Sequence, residues 1–213
     1  MTSTPPTRLL YSAWFCPYAQ RAWMALNHLS IPHELIESLT VDPVTEAYVK
    51  NPDLLRVNPK GLVPTLVVGH SPSEIIKCES IDIVRDLFEE SGTDKKKLEA
   101  WCDDSHLYNR LVSSPFYRVL MKQDKKEKEE GWADLLAGLN SFSEKLEWRD
   151  GSDGDRAISF YGSQHDSPCM VDFVVFPWVH RLYLLEHYCG YDLINDVSND
   201  VNDKIRKWQS KME

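Results

Sequence analysis

The chain has 213 residues, enough for one large domain or two small ones, and enough to bury a core without disulfide or metal staples. Acidic residues outnumber basic ones, 33 to 24, giving a formal charge of -9. That balance excludes a surface built for nucleic acid or anionic membrane, since either needs clustered Lys and Arg.

From the start, Met1 to Arg8 carries Thr, Ser and prolines with no apolar run behind a basic stretch, so no secretory leader is expected. No later segment approaches the roughly 18 uninterrupted apolar residues of a membrane helix. Arg8 to Ser12 reads as a strand leading into Cys16-Pro17. After it, Ala19, Ala22, Trp23, Leu26 and Leu29 recur at helical spacing, and Pro17 suits a first helical turn because its missing N–H would be unpaired there. His33 to Ile36 is a second strand candidate, Thr65 to Val68 a third and Glu74 to Lys77 a fourth. The last two flank Gly69-His70-Ser71-Pro72-Ser73, whose composition suits a hairpin. Ile81 to Glu90 reads as a helix ending near Gly92.

Beyond Asp94-Lys95-Lys96-Lys97 the pattern becomes helical, with breaks expected at Pro115, over Asp150 to Asp155 and near Gly190. Lys122 to Glu130 is nearly all charged, but with mixed signs, which reads as a solvated face. The order β-α-β, connection, β-β-α predicts an α/β thioredoxin-like domain over residues 1–91. An all-α helical domain is expected over residues 95–213.

The chemistry concentrates at Phe15-Cys16-Pro17-Tyr18-Ala19-Gln20-Arg21. A cysteine between a strand and a helix start meets unpaired N–H groups and the positive end of the helix dipole, both of which favour the nucleophilic thiolate. A dithiol enzyme would place a second cysteine at position 19, which here is Ala19. A mixed disulfide on Cys16 therefore needs an external thiol, and glutathione is the abundant cytosolic one. Leu62-Val63-Pro64-Thr65 reads in two ways: as a plain strand-initiating proline, or as a cis proline that leaves the Val63 backbone free for a peptide-like ligand. Glu79-Ser80 is either a helix cap or, through the N–H groups and hydroxyl at a helix start, a carboxylate site. The five cysteines, Cys16, Cys78, Cys102, Cys169 and Cys189, form no C-x-x-C pair and no zinc pattern with the histidines. They read as reduced thiols, no metal is expected, and only Cys16 is given chemistry.

Together these segments resemble the glutathione transferases, in particular the omega class, over nearly the whole chain. Cys16-Pro17-Tyr18-Ala19-Gln20-Arg21 is similar to the omega motif, and Asn58-Pro59-Lys60-Gly61-Leu62-Val63-Pro64 with Glu79-Ser80 is similar to the glutathione-site segments. Met170-Val171-Asp172-Phe173 and Phe176-Pro177-Trp178-Val179-His180-Arg181-Leu182 resemble the helix that lines the acceptor pocket. The resemblance implies the cytosolic glutathione transferase fold, a cytoplasmic homodimer, and a thioltransferase or dehydroascorbate reductase with glutathione as co-substrate. It makes Cys16 the nucleophile. Val63 beside Pro64 would bind the cysteinyl backbone of glutathione, Glu79 and Ser80 its γ-glutamyl end, and Tyr18 would pack beside it. Lys50 is the candidate for a further glutathione contact. Trp178, Arg181 and Trp208 would line the acceptor pocket, although an isolated Trp in a helical half is more often core.

Three departures stand out. Thr40 to Arg56 is longer than the usual connection, and Cys169 stands where a Ser or Thr cap is usual. The chain ends at Glu213 without the longer omega tail, which implies a more open acceptor pocket. Alternatives are a conjugating transferase that uses Tyr11 or Ser12, a chloride-channel-like protein inserting Ala22 to Leu39, and a non-catalytic interaction module. The second is opposed by charged residues in the segment, each costing roughly 2.5–3.5 kcal/mol at a bilayer centre.

Overall fold

The computed structural model describes residues 7–69, 72–150, 156–162 and 167–213. They divide into two compact units, Met1–Leu98 and Glu99–Glu213. The division falls within a helix that starts at Lys95, a few residues beyond the boundary expected between 91 and 95.

The first unit contains β1 (Arg8–Ser12), α1 (Pro17–His28), β2 (Glu34–Glu37), β3 (Leu39–Val41), β4 (Tyr48–Lys50), α2 (Pro52–Val57), β5 (Thr65–Val68), β6 (Ile75–Lys77) and α3 (Ser80–Glu90). Its main sheet has the order β2-β1-β5-β6. β1 runs parallel to β2 and antiparallel to β5, with Leu10 opposite Leu66 and Leu9 opposite Val67. Side chains alternate across a sheet, so this register separates two apolar faces. Tyr11 and Val67 pack on Leu54 and Val57 of α2, with Leu9, Ile36, Leu39 and Val63 around them. Leu10 and Leu66 point the other way and are buried, as are Ala19, Ala22, Ala25 and Leu26 of α1 and Ile83, Val84 and Leu87 of α3.

The thioredoxin-like arrangement expected from the strand and helix order is present. β1 and β5 occupy the predicted residues. β2 begins one residue later than expected, at Glu34, and the imidazole of the preceding His33 lies 2.9 Å from the Ile31 carbonyl. β6 begins at Ile75 rather than Glu74. The expected turn between β5 and β6 includes residues 70–71, which lie outside the described residues. The long connection holds the hairpin β3–β4 as well as α2, and the hairpin was not foreseen. Its turn is held by Asp42, whose Oδ1 accepts the Val44 and Thr45 N–H groups at 2.9 and 2.8 Å. Those bonds pull the Asp42 carboxyl below the usual carboxylate range.

The second unit comprises most of α4 (Lys95–Tyr108), a π-helical turn (Asn109–Ser113), α5 (Ser114–Met121), α6 (Lys125–Ser143), β7 (Trp148–Asp150), β8 (Arg156–Ile158), α7 (Met170–Val179), α8 (Leu182–Cys189), α9 (Leu193–Asp196) and α10 (Asn199–Met212). The expected break at Pro115 does not occur. A proline ring clashes with the carbonyl four residues back, here Leu111. The π turn widens the helix at that point, with the Ser114 N–H reaching back to Asn109, and helical structure continues through the proline. The half is also not purely helical, since β7 and β8 form a hairpin that pairs Trp148 with Ile158. The break expected over Asp150 to Asp155 falls in this hairpin, and residues 151–155 lie outside the described residues. The break at Gly190 is present, with φ 75° in the left-handed region at the end of α8.

The charged run forms the exposed start of α6, capped by the Asp124 carboxylate and laced by pairs such as Lys122–Glu127 at 2.8 Å. At the centre of the unit α7 is buried along its whole length. Among the described residues no helix is long and apolar enough to cross a membrane. The segment considered for insertion, Ala22 to Leu39, is divided among the end of α1, a turn, β2 and the start of β3.

Candidate active site

Strand β1 delivers the chain into a turn in which the Cys16 N–H donates to the Ala13 carbonyl at 2.9 Å. Cys16 is then the N-cap of α1, with extended backbone, and Pro17 occupies the first helical position as its missing N–H allows. The Cys16 carbonyl accepts the Gln20 N–H at 3.0 Å, so helix hydrogen bonding begins at the cysteine itself. Cys16 is half-buried, and its Sγ lies 3.9 Å from the Val63 carbonyl.

That carbonyl belongs to a cis Val63–Pro64 bond, so the cis alternative is the one the structure adopts. The loop carrying it is tied by Asn58, a residue read only as part of a motif. Its Nδ2 donates to the Leu62 carbonyl at 3.2 Å and to Thr65 Oγ1 at 2.9 Å, and its Oδ1 accepts the Lys60 N–H at 3.2 Å. Thr65 Oγ1 in turn donates to the Leu62 carbonyl at 2.8 Å. Asn58 and Thr65 are both buried, which makes the network stiff. Gly61 sits in the loop at φ 60°, with the Lys50 side chain lying over it. Lys50 Nζ donates to the Lys60 carbonyl at 2.9 Å, which brings Lys50 to the loop that holds Val63.

On the far side of α1, Glu79 is the N-cap of α3 and makes no side-chain capping bond, and Ser80 is the first helical residue. Glu79 is exposed, whereas Ser80 is 7% exposed. Arg21, assigned no role from sequence beyond its place in the motif, is 1% exposed and donates from Nη1 to Ser80 Oγ at 3.2 Å. Its guanidinium lies 5.1 Å from the centre of the Tyr18 ring. Burial pushes the Tyr18 hydroxyl pKa up, and Cys16 adds to that while Arg21 opposes it, so Tyr18 is a neutral phenol beside the thiol.

The first unit thus brings Cys16, Tyr18 and Val63 together, with Lys50 on the Val63 loop and Glu79 and Ser80 at the head of the helix that packs on α1. Tyr11 and Ser12, considered as thiolate stabilisers, are buried in the sheet, with Tyr11 in the α2-facing core.

In the second unit the expectation needs correction. Trp178 and Trp208 are each 0% exposed, so neither ring offers surface to an acceptor. Trp208 Nε1 donates to Asp172 Oδ1 at 2.7 Å, and the ring packs edge-on against Phe142. Both indoles are core residues, the ordinary use of a large aromatic in a helical unit. Arg181 is partly exposed and donates from Nη1 to the Pro177 carbonyl at 2.8 Å. The cap considered weak at Cys169 is reinforced by Asp172, which accepts the Cys169 N–H at 2.8 Å.

A family model described as the N-terminal domain of glutathione S-transferase matches residues 15–90. Glutathione S-transferase omega-1 of Mus musculus is 33% identical over 183 residues, covering 83% of this chain and 68% of that protein. Pyrimidodiazepine synthase of Drosophila melanogaster is 28% identical over 205 residues, covering 96% and 76%. Among solved structures, glutathione transferase Omega 3C from Trametes versicolor superposes with a TM-score of 0.74 at 23% identity, covering 99% of this chain and 90% of the other. A rice glutathione transferase solved in complex with glutathione gives 0.69 at 18% identity, covering 98% and 87%. At these identities the structural matches speak for the fold.

Proposed function

The chain belongs to the omega class of the glutathione transferases, and on that premise we propose that it is a glutathione-dependent thiol transferase acting through a mixed disulfide on Cys16. The observation that supports this most is the placing of a single half-buried thiol at the head of α1, facing the Val63 carbonyl, with a fully buried alanine at position 19. The helix start favours a thiolate, and the chain offers no resolving cysteine three residues on.

In the proposed reaction the Cys16 thiolate attacks the glutathionyl sulfur of a mixed disulfide R–S–S–G. The S–S bond breaks and R–S⁻ leaves to take a proton, while Cys16 keeps the glutathionyl group. A second glutathione thiolate attacks that enzyme-bound disulfide, releasing oxidised glutathione and regenerating the Cys16 thiolate. With dehydroascorbate the thiolate first adds to a carbonyl carbon. Glutathione then attacks the Cys16 sulfur, freeing ascorbate and leaving the same mixed disulfide.

In this reading glutathione lies with its cysteinyl backbone against Val63 and Pro64. Its γ-glutamyl ammonium is at Glu79, its γ-glutamyl carboxylate at Ser80, and Lys50 and Tyr18 flank it. Arg181 is the acceptor-side residue with accessible surface. In this reading the protein works as a cytosolic homodimer with its cysteines reduced.

The test is intact mass after incubation with oxidised glutathione. Wild type should gain one glutathionyl group and release one glutathione, and Cys16→Ala should gain none and lose disulfide reduction. An adduct that survives the mutation, or undiminished turnover in the variant, ends the proposal.

A further inference from the structure

Trp14 and Tyr48 are among the large apolar side chains left open to water, 81% and 61% exposed, and the half-buried Phe15 joins them. The Phe15 ring stacks on Tyr48 with centroids 5.5 Å apart and planes at 17°, and Trp14 meets it edge-on at 5.6 Å. Single exposed aromatics are ordinary on a protein surface, whereas contiguous ones mark a place of interaction.

This strip has two sources. Trp14 and Phe15 form the turn between β1 and α1 and run directly into Cys16. Their Cα atoms therefore stand no further than about 7.5 and 4 Å from that of the nucleophile. Tyr48 comes from β4, in the connection that is longer than usual. The turn is held in place: the Cys16 N–H bonds back to the Ala13 carbonyl, and the Trp14 N–H donates to the Glu37 carboxylate at 3.2 Å. Stacking of Phe15 on Tyr48 accounts for the attachment of the hairpin to the turn. It does not account for Trp14, whose side chain covers little and yet stands on fixed backbone. An open indole on a fixed turn is preorganised for a ligand, because binding there orders little.

Position says which ligand. In the thiol exchange above, the glutathionyl half is common to every acceptor R–S–S–G, and Val63, Pro64, Glu79, Ser80, Lys50 and Tyr18 are assigned to it. The R group is the half that varies, and it lies next to the reacting sulfurs. Trp178 and Trp208, the two indoles expected to receive it, are closed to water. The open rings beside Cys16 are those of the strip.

We propose that Trp14 and Tyr48, bridged by Phe15, are specificity-determining residues that bind the R group of the acceptor and select apolar groups carrying a flat ring. The inference rests on the thiol-transferase reading above. It places acceptor choice in the first unit, gives the β3–β4 hairpin a role, and changes no step at sulfur.

The test uses two mixed disulfides of glutathione, one with 2-phenylethanethiol and one with 2-mercaptoethanol, each reduced by glutathione under the same conditions. Both released thiols are primary alkyl thiols of similar acidity, so leaving-group chemistry is matched and the ring is the main difference. Wild type should show a kcat/KM about tenfold or more higher for the phenylethyl substrate, the scale of one aromatic contact with its buried area. Trp14→Ala, which truncates an exposed side chain, should cut that preference about fivefold, and Tyr48→Ala about threefold. Trp14→Phe should keep most of it.

Full preference kept in Trp14→Ala or in Tyr48→Ala overturns the proposal, and so does an equal fall for both substrates, which marks a packing role. Kept preference with an altered sedimentation coefficient in Trp14→Ala gives the strip to a second copy of the chain and overturns it equally. If wild-type Cys16 takes no glutathionyl group from oxidised glutathione, the thiol-transferase reading falls and this inference falls with it. An adduct on Cys16 without any wild-type preference between the two substrates removes only the inference.

Discussion

The indole N–H of Trp208 donates to the Asp172 carboxylate at 2.7 Å, joining α10 to the first turn of α7 where both residues are fully closed to water. Asp172 also accepts the N–H groups of Tyr161 and Cys169, at 3.0 and 2.8 Å. Burial nonetheless raises its carboxyl pKa, against the pull of these three donors. Trp208→Phe keeps most of the ring and removes one donor, so we expect a loss of about 1–3 kcal/mol in chemical denaturation. Acceptor preference should stay as in wild type. A variant of unchanged stability whose acceptor preference shifts would return Trp208 to the acceptor pocket.

Gly138 lies against the backbone of the π turn, and a Cβ there would stand 2.2 Å from the Leu111 carbonyl oxygen. Glycine to alanine inside a helix normally stabilises by roughly 0.5–1 kcal/mol. Here the obstacle is backbone and cannot swing aside, so Gly138→Ala should instead cost about 1–3 kcal/mol, the range for overpacking. The shift in urea midpoint at constant slope measures it, and a midpoint equal to or above wild type contradicts the contact.

Gly61 combines a left-handed backbone with crowding: a Cβ would stand 2.5 Å from Lys50 Cδ and 2.9 Å from its Nζ. In Gly61→Ala the side chain of Lys50 must leave the Lys60 carbonyl, and the backbone strain adds roughly 1–2 kcal/mol. The expected signature is a raised KM for glutathione, matched by Lys50→Met and not increased further by combining the two. Independent, additive effects would separate Lys50 from the loop.

Asp86 of α3 receives hydrogen bonds from Lys77 of β6 and from Arg85. Burial pushes its carboxyl up, but the bonds from Lys77 and Arg85 outweigh it and hold the pKa below the ordinary 3.8. A depressed folded-state pKa means the folded protein binds this proton more weakly than the unfolded chain. The stabilisation is therefore present above 3.8 and is lost as pH falls through the folded-state value. Lys77→Met should lower Tm near neutral pH, and its deficit should narrow as the pH drops below that point. A deficit that persists unchanged through the acid limb would place the Lys77 effect elsewhere.

What could be read from the residues follows from how local the signal is. β1 and β5 are short apolar runs with clear borders, and Cys16-Pro17 marks a helix start by covalent geometry alone, so these were legible. The β3–β4 hairpin was not, because Val41, Tyr48 and Val49 are exposed and the strands are three residues long, leaving no buried face to set a period of two. The π turn was hidden for a related reason: a widened helix keeps helical composition and changes only its spacing. Glu79-Ser80 stood out as a helix start, but the hydrogen bond that Ser80 receives from Arg21 spans 59 residues, which no local window contains. Trp178 and Trp208 show the converse, where the resemblance named the residues and the packing decided their use.

Pro115 and Gly138 are tied by one carbonyl. Pro115 has no N–H to offer Leu111, the helix opens to spare the clash, and α6 approaches that carbonyl at Gly138, a position without a side chain. The two sites are therefore coupled through one peptide unit. A lineage that replaced Gly138 first would meet the Leu111 backbone, whereas one that first gave up Pro115 could rewind the helix and withdraw the obstacle. The order of substitution is constrained, and among relatives the two positions should change in that sequence or not at all.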